Sequence, residues 1–225
     1  MDAGRYKNKL FSLMGDSVST LAGYSEPEGF EFYKGMNKFK AGVFAPEDTW
    51  WGQVIAKLGG ELLVNNSIAG SMVCKSRGCE IPSYACSDER TASLHRSGAM
   101  PDVIMVFMGI NDWGCAAAPE GIFTESYCTM LEKLRKNYPL SELWCFTLPV
   151  STRKTAENFE FPYCYGGRHI AEYCAAIRAC AEKYGCRTVD LYSPEEPYDT
   201  ADDFHPNLEG MKTLADAILN SVMNK

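Results

Sequence analysis

The sequence predicts an α/β fold: a three-layer α/β/α sandwich around a five-stranded, mostly parallel, doubly wound sheet of flavodoxin-like type. Three observations predict it. Short apolar runs alternate with helical patterns from one end of the chain to the other. One run, DVIMVFM at 102–108, is almost continuously apolar, as a strand buried on both faces must be. The chain has 225 residues, 46% of them hydrophobic, which is enough to bury one core without disulfide or metal staples. No linker, repeat or low-complexity tract interrupts it, so residues 1–225 are read as one domain.

The first strand is placed at 9–14 and stopped by Gly15. Residues 21–48 follow as a long irregular stretch rich in Gly, Pro and aromatics. A helix at 49–58 ends at Gly59-Gly60, and the second strand is placed at 61–65. Residues 74–88 are irregular and 89–96 form a short helix. The third strand is 102–108. A helix at 126–137 carries Met130, Leu131 and Leu134 on one side, and ELWCFTL at 142–148 is the fourth strand. Residues 167–184 read as a helix with Ile170, Cys174, Ile177, Ala181 and Tyr184 in one stripe. The fifth strand is 187–191 and the last helix 207–222.

Composition narrows the function. With 22 basic and 29 acidic residues the net charge is −7, and no basic run occurs, which argues against nucleic acid as a partner. No stretch is long and apolar enough to span a bilayer. The N-terminus, MDAGRYKNKL, lacks a signal-peptide hydrophobic region, so a cytoplasmic location is expected. The ten cysteines contain no Cys-x-x-Cys pair and are read mostly as buried free thiols. Cys174 and Cys180, six residues apart on one helix, point to different faces. Cys74, Cys79 and Cys86 are the segment where a disulfide or metal would sit, although their spacing matches no standard zinc pattern. No cofactor or metal is expected. Oligomeric state is not legible.

In a doubly wound sheet, chemistry collects beyond the carboxyl ends of the strands. Four stretches fall there: Gly15-Asp16-Ser17, Asn66 to Gly70, Gly109-Ile110-Asn111-Asp112, and Asp202-Asp203-Phe204-His205 before the last helix. Together they supply a hydroxyl, an imidazole, a carboxylate, an amide and tight glycine turns, the inventory of an acyl-transfer site. A serine needs a base to become a nucleophile, and an imidazole needs a carboxylate to fix its tautomer. The N–H groups of Ser17 and Gly70 and the Asn111 amide are candidate oxyanion donors. Each piece also has an ordinary reading. Ser17 would cap a helix, His205 would fill a turn before Pro206, and Asn111-Asp112 would turn the chain after a buried strand. Asp112 is read as structural, bracing its loop. Trp113 is either core or pocket wall. His95 and His169 are read as surface residues.

These four blocks, in this order and over nearly the whole chain, resemble the GDSL-type or SGNH hydrolase superfamily. The resemblance implies a serine esterase acting on a small-molecule ester, with Ser17 as nucleophile, His205 as base and Asp202 as its orienting acid. Ser17, Gly70 and Asn111 would form the oxyanion hole. The family often has Gly after the first Asp of the last block, where this chain has Asp203; spacing favours Asp202 as the partner of the imidazole. The substrate classes implied are acetylated carbohydrates and short acyl esters. Lysophospholipids and thioesters fit the same chemistry, and a non-catalytic binding domain is the alternative on the same fold. No exposed amphipathic lid that would argue for a lipid interface is legible, and residues 21–48 are either a loop packed by its own aromatics or a lid or wall over Ser17.

Overall fold

The computed structural model describes residues 3–75, 83–115, 119–151, 159–160, 164–165 and 168–223. Five strands, β1 (Leu10–Gly15), β2 (Glu61–Ser67), β3 (Val103–Phe107), β4 (Glu142–Phe146) and β8 (Arg187–Val189), form one sheet in the order β2-β1-β3-β4-β8. Every neighbouring pair is parallel. This is the doubly wound order, with its switch point beside β1.

Side-chain alternation sorts the core into two layers. Phe11, Leu13, Val103, Met105, Phe107, Trp144 and Phe146 face one side, where α2 (Trp50–Leu58) and α7 (Leu208–Met223) cover them. Met14, Ile104, Val106, Leu143 and Cys145 face the other, under α5 (Thr124–Asn137) and α6 (Ile170–Lys183). Trp50 locks α2 to the sheet by meeting Phe107 and Phe146 edge-on, at 5.4 and 5.5 Å between ring centroids.

Sequence patterning and structure differ where elements are short. The stretch 21–48 is not wholly irregular: it holds α1 (Gly35–Ala41), ended by Gly42 in the left-handed conformation. Met36 and Phe39 of α1 point outward, each 71% exposed, so no inward apolar stripe marks this helix in the sequence. A second unexpected helix, α4 (Ile110–Gly114), starts directly after Gly109. The helix expected at 89–96 is only α3 (Asp88–Ala92). It stops because the backbone of Leu94 is engaged elsewhere: its N–H donates to Tyr138 Oη and its carbonyl accepts from Ser12 Oγ.

The helix expected from 167 begins at Ile170. Its first turn is capped by His169, whose Nδ1 accepts from the Ala171 N–H while Glu172 accepts from the His169 N–H. Arg168–His169 instead forms β7, which with β5 (Phe159–Glu160) and β6 (Cys164–Tyr165) makes a small antiparallel sheet absent from the sequence reading. His95 is exposed and His169 half-buried. Cys79 lies outside the described residues. Cys174 and Cys180 do face different partners: Cys174 Sγ donates to Leu148 O, whereas Cys180 Sγ lies 2.8 Å from Cys128 Sγ.

The last helix begins where Asn207 caps it, its side chain accepting from the Gly210 N–H at 2.9 Å. This end of α7 is pressed against the loop that carries His205. A Cβ on Gly210 would stand 2.0 Å from Asp199 O and 3.2 Å from Pro206 Cβ. Gly210→Ala is therefore expected to cost about 1–3 kcal/mol through overpacking against a backbone that cannot yield without moving the loop. A thermal melt reads it; an unchanged Tm would contradict the close approach.

Candidate active site

Ser17 opens a 3₁₀ turn, Ser17–Ser19, directly beyond β1. Asp16 caps that turn by accepting from the Val18 N–H at 3.0 Å. Gly15 is required by packing. A Cβ there would stand 2.6 Å from Ser67 Oγ and 2.7 Å from Ser19. Its absence lets the end of β2 and the Ser17 turn lie side by side. The Ile68 N–H then donates to Gly15 O at 3.2 Å and ties the second loop to the first.

The loop before α7 brings His205 to Ser17 across 188 positions of sequence: Nε2 lies 3.0 Å from Oγ. On the other side of the ring, Nδ1 lies 2.9 Å from Asp202 Oδ2 and 3.1 Å from Oδ1. Asp202 also fixes the loop, since Oδ1 accepts from the backbone N–H groups of Phe204 and His205 at 3.2 and 2.8 Å. Of the two neighbouring aspartates it is Asp202 that meets the imidazole. Asp203 occupies the left-handed region with φ of 67°. The turn needs a positive φ, which aspartate tolerates better than most residues and which the Gly implied by the family resemblance would also supply.

Phe32 lies flat on His205, with ring centroids 3.4 Å apart and planes 13° apart. Its own backbone is set by Thr20 Oγ1, which accepts from the Phe32 N–H at 2.9 Å. The stretch 21–48 thus walls one face of the His205 imidazole. Burial under this ring holds the His205 pKa below the ordinary imidazole value, and the attraction of Asp202 only partly opposes it. Asp202 feels burial too, but its bonds from the His205 N–H and its proximity to the imidazole win. Its carboxyl stays below the usual range.

The other expected residues stand at the same sheet edge. The N–H groups of Ser17 and Gly70 donate to no acceptor among the described residues. Asn111, on α4, donates one Nδ2 hydrogen to Ser71 O at 2.8 Å, next to Gly70. Asp112 is buried and takes no part at Ser17. Its carboxylate accepts from the N–H groups of Val73 and Cys74 and from Cys74 Sγ, so it braces the loop after Gly70. Trp113 is core, and its Nε1 donates to Arg168 O. Exposed Phe39 and Phe44 pack on each other at 5.4 Å between ring centroids and form an outward apolar surface.

Two buried polar residues have roles at the site that sequence spacing does not reveal. Asp16 is fully buried, its Oδ2 meets no partner, and burial pushes its pKa up to about 7. Arg90, from α3, is 3% exposed and reaches under the first two loops. Sequence spacing gives no sign of it, because its partners come from three separate stretches.

Among the described residues no helix is long and apolar enough to cross a membrane. A search of curated proteins finds no match. Among solved structures, a Bacteroides ovatus protein carrying the name GDSL-like lipase superposes with a TM-score of 0.74 at 22% identity, covering 97% of this chain and 100% of its own. A second such protein, from Bacteroides uniformis, gives 0.71 at 24% identity and 97% of both chains. Est24, a carbohydrate acetylesterase from Sinorhizobium meliloti, gives 0.67 at 14% identity, with 96% of this chain and 99% of its own. At these identities the likeness establishes the fold. The family model for GDSL-like lipase/acylhydrolase matches residues 9–155, a span that includes Ser17, Gly70 and Asn111 and stops before Asp202 and His205. By that match, over more than half of its length, the chain belongs to the GDSL-like lipase/acylhydrolase family.

Proposed function

We propose that this protein is a serine esterase that cleaves a carboxylic ester through an acyl-enzyme on Ser17. The observation that carries the reading is the continuous relay Ser17 Oγ, His205 Nε2, His205 Nδ1, Asp202 Oδ2, with gaps of 3.0 and 2.9 Å. In the first half-reaction Oγ attacks the ester carbonyl and its proton passes to Nε2. The oxyanion accepts from the Ser17 and Gly70 N–H groups and from the second Nδ2 hydrogen of Asn111. The imidazolium then returns the proton to the departing alcohol. Water repeats the sequence against the acyl-enzyme and releases the acid. Asp202 keeps the Nδ1 hydrogen in place and stabilises the imidazolium while it exists.

The substrate reading is an acetylated carbohydrate or short-chain acyl ester, favoured by the likeness to a carbohydrate acetylesterase. Hydrolysis of 4-nitrophenyl acetate followed from pH 4 to 9, beside acetylated sugars and longer acyl esters, tests it. Only neutral His205 accepts the proton. Because burial lowers its pKa, the acid limb of kcat/KM is expected to have its inflection below the ordinary imidazole value of about 6.5. Activity then holds at neutral pH and falls about tenfold per unit beneath the inflection. An inflection above 6.5 would contradict the desolvated base, and absence of turnover on every ester would reject the function.

A further inference from the structure

We infer that Arg90 is a positioning residue for the reaction proposed above, holding the oxyanion-binding loops in register by donating every one of its N–H groups to them. The inference rests on the acyl-enzyme reading and goes beyond it, since Arg90 touches none of the reacting atoms.

A guanidinium has five N–H donors in a fixed planar fork. In this site all five meet oxygen. Nε donates to Asn66 Oδ1. Nη1 donates to Ser71 Oγ at 2.7 Å and Ser83 Oγ at 3.3 Å. Nη2 donates to Asn66 O at 2.8 Å and Gly15 O at 3.2 Å. None of these acceptors is a carboxylate. An arginine kept only for an ion pair would face one, and burying a cation among neutral oxygens is costly. The arrangement instead matches a geometric task, because the acceptors bracket the three proposed oxyanion donors. Gly15 is two residues before Ser17. Asn66 and Ser71 flank Gly70. The carbonyl of Ser71, whose hydroxyl Arg90 holds, accepts from Asn111 Nδ2. One rigid fork therefore ties the ends of β1 and β2 to the loop that positions Asn111.

Burial lowers the Arg90 pKa to about 10, which leaves the group cationic at neutral pH. Asp16, the acid whose charge acts most strongly on it, has its own pKa pushed up to about 7 by burial.

Kinetics of Arg90→Lys and Arg90→Ala test the inference. Lysine keeps the charge but offers three donors for five acceptors. We expect kcat to fall about 10-fold to 10²-fold for Arg90→Lys and about 10²-fold or more for Arg90→Ala, with KM changed less than about threefold. A merely structural arginine would lower the Tm and the fraction of active protein, leaving kcat per active site intact. Fluorophosphonate titration supplies that active-site count. A second readout uses the cavity of about 430 Å³ that Arg90 lines together with Asn66, Ser83 and Phe30. In Arg90→Ala this opening gives small solutes access to the vacated fork. Guanidinium at tens of millimolar is expected to restore kcat about tenfold or more, sodium chloride at equal ionic strength not at all, and urea, planar but uncharged, less than guanidinium. Should Arg90→Ala fail to fold, Arg90→Lys alone decides. A kcat per active site within twofold of wild type in the folded variant overturns the inference, as does restoration by sodium chloride equal to that by guanidinium. If wild type is not labelled at Ser17, the acyl-enzyme reading has failed; if it is labelled but indifferent to Arg90 substitution, only the positioning role has.

Discussion

Ser17→Ala is expected to abolish labelling by a fluorophosphonate and to lower ester turnover by on the order of 10⁴-fold or more. The hydroxyl is the only group of the proposed relay that forms a covalent bond to the substrate, so no neighbour replaces it. What remains is catalysis by the oxyanion donors and by binding alone. The variant is a clean probe because the turn does not depend on the hydroxyl: Asp16 caps it through Val18, and Thr20 holds the Ser17 carbonyl. Ser17 is also only 4% exposed, and among the described residues the hydrogen-bond partner of its Oγ is the imidazole. The Tm is therefore expected to move little. Mass spectrometry of the labelled tryptic peptide gives the site directly. Equal labelling of wild type and variant would remove Ser17 from the mechanism, and with it the acyl-enzyme.

Much of this site was legible in the sequence because each of its parts follows directly from a strand end or precedes a helix. The doubly wound sheet puts Ser17, Gly70 and Asn111 on one edge once β1, β2 and β3 are recognised, and those strands announce themselves by their apolar runs. Choosing Asp202 over Asp203 needed only the three-residue step to His205. What stayed hidden depends on contacts that spacing does not encode. Arg90 looks like one more charged residue of a polar helix until its side chain is seen to join Gly15, Asn66, Ser71 and Ser83. Phe32 is one aromatic among many in 21–48 until it lies on His205. The short elements were lost for a related reason. A seven-residue helix such as α1, with its large apolar residues turned outward, presents no stripe, and two-residue strands such as β7 are shorter than any periodic signal.

Removing the proposed base, or the proposed acid behind it, gives the second large effect. His205→Ala is expected to slow turnover by on the order of 10³-fold or more, and Asp202→Asn by about 10²-fold to 10⁴-fold. The aspartate variant is the sharper of the two. Asparagine can still accept from the Phe204 and His205 N–H groups with its carbonyl, so the loop keeps the bonds that Oδ1 now makes. Its amide, however, presents hydrogens where Oδ2 accepts from Nδ1. The imidazole then favours the tautomer with hydrogen on Nε2, the atom that must be empty to take the Ser17 proton. The loss should therefore appear in kcat with the Tm nearly unchanged, whereas Asp202→Ala would also loosen the loop and lower the Tm. Because hydroxyl, imidazole and carboxylate act as one unit, adding His205→Ala to Ser17→Ala should cost almost nothing more. Steady-state kinetics of these variants, with an active-site count for each variant that keeps Ser17, decides the matter. A double variant slower than Ser17→Ala by the full His205→Ala factor would mean that the imidazole works independently of the hydroxyl 3.0 Å from it.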